Sequence, residues 1–457
     1  MKLDRARALE LVSNKLGSHP LISVGWHGTD AGALVGLPQF SYCISHGVAL
    51  GAPQVQDFSV EEQSGLRHDQ VNPTPVGSFL ALKAMSEALM KASQDPCTVL
   101  AFAPLPFLER LGWERPLARY LGMPWSSFQF FNSKSGVEKE LASTSGDLVF
   151  VPWRTLPADP SRMQILRDEL RRHPVVLRLS SSQAGMGHEL IRDESELAGS
   201  RFVKEETVSI GPYLEAHIPL SVGACVFPDG EVTLHSPSLQ LVGVPVCTNL
   251  QFGYCGNDFV TIKNLDRRLL ARLEVSARAV GRWLHSRGYV GVFGIDAMVY
   301  EGEVLFSEVN PRFQGSTWLT AQMDSELGIP DMVLDHLMAW LGIESYKTPP
   351  LSEIVEAQPR RSQVLLFNKR DKRVEVSKDG LSASDDIYAV KVPANNVMVD
   401  PGELMFALVL HSAVTPDGRS LEPEEAGLVD SSLRCVHPRD RMSRRRVSGL
   451  RGERPIA

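Results

Sequence analysis

Hydrophobic positions change period repeatedly along this chain, and each change predicts an element. The apolar run at residues 21–26 ends in His-Gly-Thr-Asp and reads as a buried strand entering a turn. Residues 78–93 place Leu82, Met85, Leu89 and Met90 at helical spacing, and residues 98–104 return to a strand-length apolar run. Further on, residues 147–153 read as short strands, 161–173 as a helix, and Val175, Val176 and Leu177 as a compact strand. The polar stretch Ser180 to Gly187 lacks the bulky residues that would continue that strand, so a mobile loop is expected. Leu269, Leu273, Ala277, Val280 and Leu284 then mark an amphipathic helix over 265–288. Another helix is expected over 324–342, with Pro330 in its first turn.

Strand formers punctuated by Asp-Gly or Glu-Gly turns dominate residues 211–232 and 291–312. Pro349, Pro350 and Pro359 bracket a boundary, beyond which four short strands are expected before an Arg-rich end. The resulting division is an N-terminal α/β domain at 1–130, a small subdomain at 131–212, a core at 213–347, a β-rich region at 348–437 and a flexible basic tail at 438–457. The class is α/β and α+β multidomain.

Composition narrows the function. Hydrophobic residues make up 43% of the 457 residues and the formal charge is −7, which favours neither disorder nor a nucleic-acid surface. Six cysteines are scattered without a zinc-ligand spacing, so buried reduced thiols are expected. No apolar run reaches membrane-spanning length and the start lacks a secretion segment, giving a cytoplasmic expectation with no membrane partner.

The informative chemistry lies in residues 291–317. Asp296 sits in one apolar strand, Glu301-Gly302 can reverse the chain, and Glu308 lies near the end of the next strand. Glu308 and Asn310 share a strand face, so a hairpin brings Asp296 across from them. Two carboxylates and an amide oxygen suit Mg2+, with Mn2+ an admissible substitute. Arg312, two positions further, can donate to a phosphate or acyl-phosphate oxygen. The alternative is an acidic hairpin facing water; the Glu-x-Asn-x-Arg order favours metal and phosphate.

These residues resemble the ATP-grasp superfamily, in which an acidic residue on one core strand and a Glu-x-Asn pair on the next coordinate magnesium bound to ATP. The resemblance covers roughly residues 125–342 and implies an ATP-grasp fold. It implies a phosphate contact for Lys134, with Lys139 as a register alternative, and another for Arg178, where the family commonly has lysine. Ser180, Ser181, Ser182, Gly185 and Gly187 resemble the lid over the triphosphate. Glu215 resembles the acidic residue of the adenine hinge, with the backbone of Ala216, His217 and Ile218 reading the base. His27 and Asp30 can bind substrate or serve as a turn and cap.

The resemblance implies a carboxylate-amine ligase that forms an amide or peptide through an acyl-phosphate, with Arg312 and Arg178 in catalytic roles. A carboxylic acid and an amine, amino-acid or peptide acceptor would be its partners, and a homodimer is compatible. The long front and C-terminal regions resemble peptide ligases of bacterial natural-product assembly. Biotin carboxylases share the plan, and residues 390–405 invite comparison with a carrier-like barrel; Lys391 lacks the Met-Lys-Met context. Another acid-activating enzyme, or a non-catalytic ATP-binding regulator or scaffold, completes the alternatives.

Overall fold

The structure, a computed structural model, describes residues 3–67, 75–93, 96–182, 185–378, 381 and 387–438. The expected basic tail lies outside the described residues from 439 onward.

The front of the chain builds a five-stranded parallel sheet in the order Gln56–Ser59, Phe40–Ser45, Leu21–Gly25, Cys97–Ala101 and Ala118–Leu121. Its central strands are buried on both faces, which explains their nearly unbroken apolar runs. Alternate side chains serve two cores. Ile22, Val24 and Ile44 pack with Met85 and Leu89 of helix Pro75–Ala92. Leu21, Cys43 and Leu100 instead join Leu334, Leu337 and Met338, whose helix comes from far along the chain. The expected turn after Gly25 is a 3-10 helix, Gly28–Gly36, capped by His27.

A four-stranded antiparallel sheet follows, ordered Arg154–Pro157, Thr207–Pro212, Val175–Arg178 and His188–Ile191. Strands expected over 147–153 reduce to one bridge between Phe150 and Phe306. Helix Arg162–Leu170 forms where its pattern predicted it.

The largest sheet has nine strands. Its path runs Glu303–Asn310, Gly291–Tyr300, Ile218–Val226, Ser238–Val242, Tyr254–Asp258, Ser362–Phe367, Leu404–Leu410 and Ile387–Val390, with Val232–Leu234 paired to Ile218–Val226. The sheet therefore continues across the proline-rich stretch at 349–359 into the β-rich region. Helix Arg267–Ser286 buries Leu273, Ala277, Val280 and Leu284 against it, while Leu269 is half-buried at the edge.

The helix expected over 324–342 is two helices, Thr317–Glu326 and Met332–Trp340. Pro330 precedes the second helix rather than opening it. The cap is Asp331, whose carboxylate accepts from the Val333 and Leu334 N–H groups at 3.0 Å each. One further helix, Pro423–Ser432, carries proline at its start and only a weak apolar stripe, which is why strands alone were expected there. All six cysteines are buried, and among the described residues no helix is long and apolar enough to cross a membrane.

Candidate functional site

The hairpin expected at 291–312 forms. Strands Gly291–Tyr300 and Glu303–Asn310 pair antiparallel through Glu301-Gly302, both at positive φ, the conformation of a tight two-residue turn. Asp296 lies directly opposite Glu308. A bulge follows that pair, so Ser307 and Glu308 both reach the same cavity. Asn310 donates its amide N–H to Asp296 at 2.9 Å, and Gln240 donates to the other Asp296 oxygen at 2.8 Å.

Lys134 opens helix Lys134–Thr144, and its Nζ pairs with Glu308. Lys139 is exposed on the same helix. Burial pushes both strand carboxylates up. In Glu308 the Lys134 charge overcomes burial and holds the pKa low, whereas Asp296 is raised by burial and by the Glu308 charge.

Arg178 departs from its expected place. It is fully buried, donates to Glu138 at 2.6 Å and to the Ser307 carbonyl at 3.3 Å, and lies 4.1 Å over the Trp153 ring. This is a cation–π contact between the guanidinium and the indole. Arg178 is thus packed into the wall while Trp153 faces the cavity.

The serine-glycine segment is tied down at both ends. Ser180 bonds Ser135 at 2.8 Å and accepts the Lys134 N–H at 2.9 Å; Gly187 accepts from Leu179 at 2.9 Å. Ser181 is exposed, and Gln183 and Ala184 lie outside the described residues. Gly185 lines the cavity at φ +80°, where a Cβ would sit 1.7 Å from the Phe252 carbonyl oxygen. The buried Ser182 Oγ, Arg178 Nε and His188 Nδ1 have no hydrogen-bond partner in the protein.

The hinge also differs. Glu215 and Ala216 are exposed, and the Glu215 carbonyl is held by Arg419. Of the expected hinge residues His217 lines the cavity, beside Tyr213 and Leu214. Ile218 begins the next strand. The reason is local: a turn at 215–216 swings those two residues outward. His217 bonds the Leu214 carbonyl at 2.5 Å, and burial lowers its pKa.

All of this surrounds one cavity of about 330 Å³. Asp296, Glu308, Asn310 and Arg312 line it from the core, Trp26, His27, Asp30 and Phe102 from the front domain, and Leu365, Phe367, Lys391 and Leu404 from the β-rich region. Arg312 donates to the Phe313 carbonyl at 3.0 Å, and its burial lowers its pKa. His188, missed in the sequence, also lines the cavity and is driven to about 3 by burial and then by the Lys134 charge, so it stays neutral. Gln240, Tyr254 and Gln314 were likewise missed because each reaches the cavity only through strand pairing or chain return.

Among the described residues no group of three or more His, Cys, Asp or Glu is suited to a metal ion. The hairpin set is two carboxylates and one amide. Its chemistry still fits Mg2+: all three offer hard oxygens, and Asp296 and Glu308 repel each other with one lysine charge between them.

The architecture is shared with solved structures. The chain has an ATP-grasp fold. Rhizobium etli pyruvate carboxylase aligns over 93% of this chain and 40% of its own, at 16% identity and TM-score 0.62. The biotin carboxylase domain of Hydrogenobacter thermophilus 2-oxoglutarate carboxylase, solved with MgADP and bicarbonate, aligns over 93% and 91% at 14% identity and TM-score 0.62. Staphylococcus aureus N5-carboxyaminoimidazole synthetase, complexed with ADP, aligns over 92% and 98% at 11% identity and TM-score 0.57. No family model and no curated protein matches this sequence. At these identities the ATP-grasp likeness establishes the fold, and the chemistry rests on the residues above.

Proposed function

We propose that this protein is an ATP-dependent ligase that activates a carboxylic acid as an acyl-phosphate and transfers the acyl group to a nitrogen nucleophile. The observation carrying this reading is the meeting of Asp296, Glu308, Asn310 and Arg312 at one cavity, with Lys134 paired to Glu308 from the neighbouring subdomain. Asp296, Glu308 and Asn310 would hold Mg2+, which would offset phosphate charge.

In this reading a substrate carboxylate oxygen attacks the terminal phosphorus of ATP, and the bond to ADP breaks. The amine nitrogen then attacks the activated carbonyl, the carbon–oxygen bond to phosphate breaks, and the amine loses one proton. Arg312 stabilises negative charge on the oxygens that change partners. Gly185, seated against Phe252, keeps water from the acyl-phosphate.

A second reading has bicarbonate as the acid and a carboxylated nitrogen as the product. The carboxylases and synthetases among the similar structures favour it. A biotin-carrier version is disfavoured by Lys391, which is buried and ion-paired rather than presented for attachment. Strand Ile387–Val390 also belongs to the main sheet instead of a separate barrel.

The test incubates the full chain with MgATP and pairs of organic acids and amines, with bicarbonate as a parallel acid. ADP, phosphate and an amide identified by mass spectrometry support the ligase. A carboxylated amine formed only with bicarbonate selects the second reading. AMP and pyrophosphate would sink both.

A further inference from the structure

The cavity wall opposite the hairpin set carries a buried charge pair that the phosphate chemistry does not use. Lys391 Nζ lies 3.0 Å from Asp30 Oδ1, and both side chains are only 6% exposed. The second Asp30 oxygen accepts the His27 N–H at 3.1 Å. Trp318 lies beneath the ammonium, 5.5 Å from its ring centroid. Both charged residues line the cavity, together with the apolar Trp26, Phe102 and Leu404.

Lys391 is held there at a cost. It has a left-handed backbone, φ +57°, which a non-glycine residue adopts only when its surroundings enforce it. The enforcing group is Arg67, which is fully buried, bound twice to Glu61 at 2.6 and 2.8 Å, and donates to the Lys391 carbonyl at 2.8 Å. The same guanidinium donates to the Leu404 carbonyl at 3.0 Å. The front domain thus fixes both the backbone and the side chain of a lysine that arrives from the other end of the chain.

A buried ion pair contributes little to stability compared with apolar packing, so a strained, doubly anchored pair on a cavity wall calls for a ligand. Its two charges cancel, which makes the wall locally dipolar rather than cationic or anionic. The complementary ligand is neutral overall and carries one anionic and one cationic group on the same carbon. We infer that Asp30 and Lys391 form the specificity site for an α-amino acid: Lys391 donates to the amino acid's carboxylate, Asp30 accepts from its ammonium, and Trp26 and Phe102 accommodate its side chain. This inference rests on the ligase reading and assigns one of its two substrates.

The experiment uses the full chain with MgATP and a panel of acids and amines that includes the proteinogenic amino acids, each also supplied as its N-acetyl and methyl-ester derivative. ADP release and product mass are read for wild type, Asp30→Asn, Lys391→Met and Lys391→Arg. The expected product contains an amino acid. The derivative that keeps the reacting group, the methyl ester where the amino acid supplies the nitrogen and the N-acetyl form where it supplies the carboxylate, should fall at least about tenfold in kcat/KM. Asp30→Asn and Lys391→Met should raise KM for the amino acid at least about tenfold, with KM for ATP little changed. Lys391→Arg should recover part of that loss, and melting curves identify any variant that does not fold; Lys391→Arg and Asp30→Asn then carry the test. Ligation in which derivatives react as well as free amino acids, or in which Lys391→Met is silent, overturns the inference and leaves the ligase standing. Absence of ADP release with every pair removes both.

Discussion

Two carboxylates facing each other across adjacent strands need positive partners, and Lys134 brings one charge to the two carried by Asp296 and Glu308. Glu308→Gln removes the carboxylate that Lys134 holds ionised. If the hairpin set binds Mg2+, acid- and amine-dependent ATP turnover should fall by about 10²-fold or more. Unchanged turnover with unchanged Mg2+ dependence would reject Glu308 as a ligand. Gly185 makes a separate claim about the lid. At φ +80°, with a Cβ position 1.7 Å from the Phe252 oxygen, it cannot become alanine without moving one of the two segments. Gly185→Ala should therefore raise KM for ATP and speed hydrogen exchange over residues 179–182 and 185–187, for a strain of about 1–3 kcal/mol. Identical exchange in variant and wild type would show that the lid does not seat on Phe252 in solution.

At the scale of elements, helices Thr317–Glu326 and Met332–Trp340 are joined to the sheet by His235, a buried residue just beyond strand Val232–Leu234. Its two ring nitrogens lie 3.1 Å from Asp324 and 3.1 Å from Asp335, one on each helix. Burial opposes the imidazolium, but the two carboxylates outweigh it and raise the His235 pKa to about 10. Asp324 is also raised, by burial first, despite the histidine charge. A raised histidine contributes stability that is complete below its unfolded value near 6.5 and is lost as pH climbs through about 10. Asp324 acts with the same sign, but in the acidic window that opens at its unfolded value of 3.8. Melting temperature should accordingly decline from neutral pH toward pH 10, and His235→Leu, which strands two buried carboxylates, should cost about 3–5 kcal/mol in denaturant unfolding. A flat wild-type profile between pH 6.5 and 10 would show the histidine to be neutral. None of this linkage could be read along the chain, because the two aspartates lie 89 and 100 positions from His235. The hairpin was legible for the opposite reason: a period-two pattern and a two-residue turn place Asp296, Glu308 and Asn310 by local geometry alone. Arg178 and Glu215 show the limit of local reading. Their chain order suggested the nucleotide cleft, while Glu138 and Trp153 draw one into the wall and a turn swings the other outward.

Across the whole molecule, the front domain and the β-rich region meet without any covalent proximity, and Arg67 is the main polar joint. Strand Leu66–Arg67 pairs with Met398–Val399, and the Arg67 guanidinium holds the carbonyls of Lys391, Leu404 and Met405 while Glu61 neutralises it. Removing only the arginine leaves Glu61 buried without its charge partner and three carbonyls without their donor. Arg67→Met should then cost about 3–5 kcal/mol, whereas Arg67→Met combined with Glu61→Leu should recover much of the loss, since apolar replacement of a whole buried pair is often neutral. The two variants separate stability from positioning. In the double variant the fold returns but Lys391 no longer has an anchored backbone, so discrimination between an amino acid and the derivative that keeps its reacting group should narrow even at wild-type stability. Measuring melting temperature and that discrimination ratio on the same preparations decides the matter. A double variant that regains stability and keeps full discrimination would mean that Asp30 alone suffices to place Lys391, and that Arg67 serves the joint between domains and nothing at the cavity.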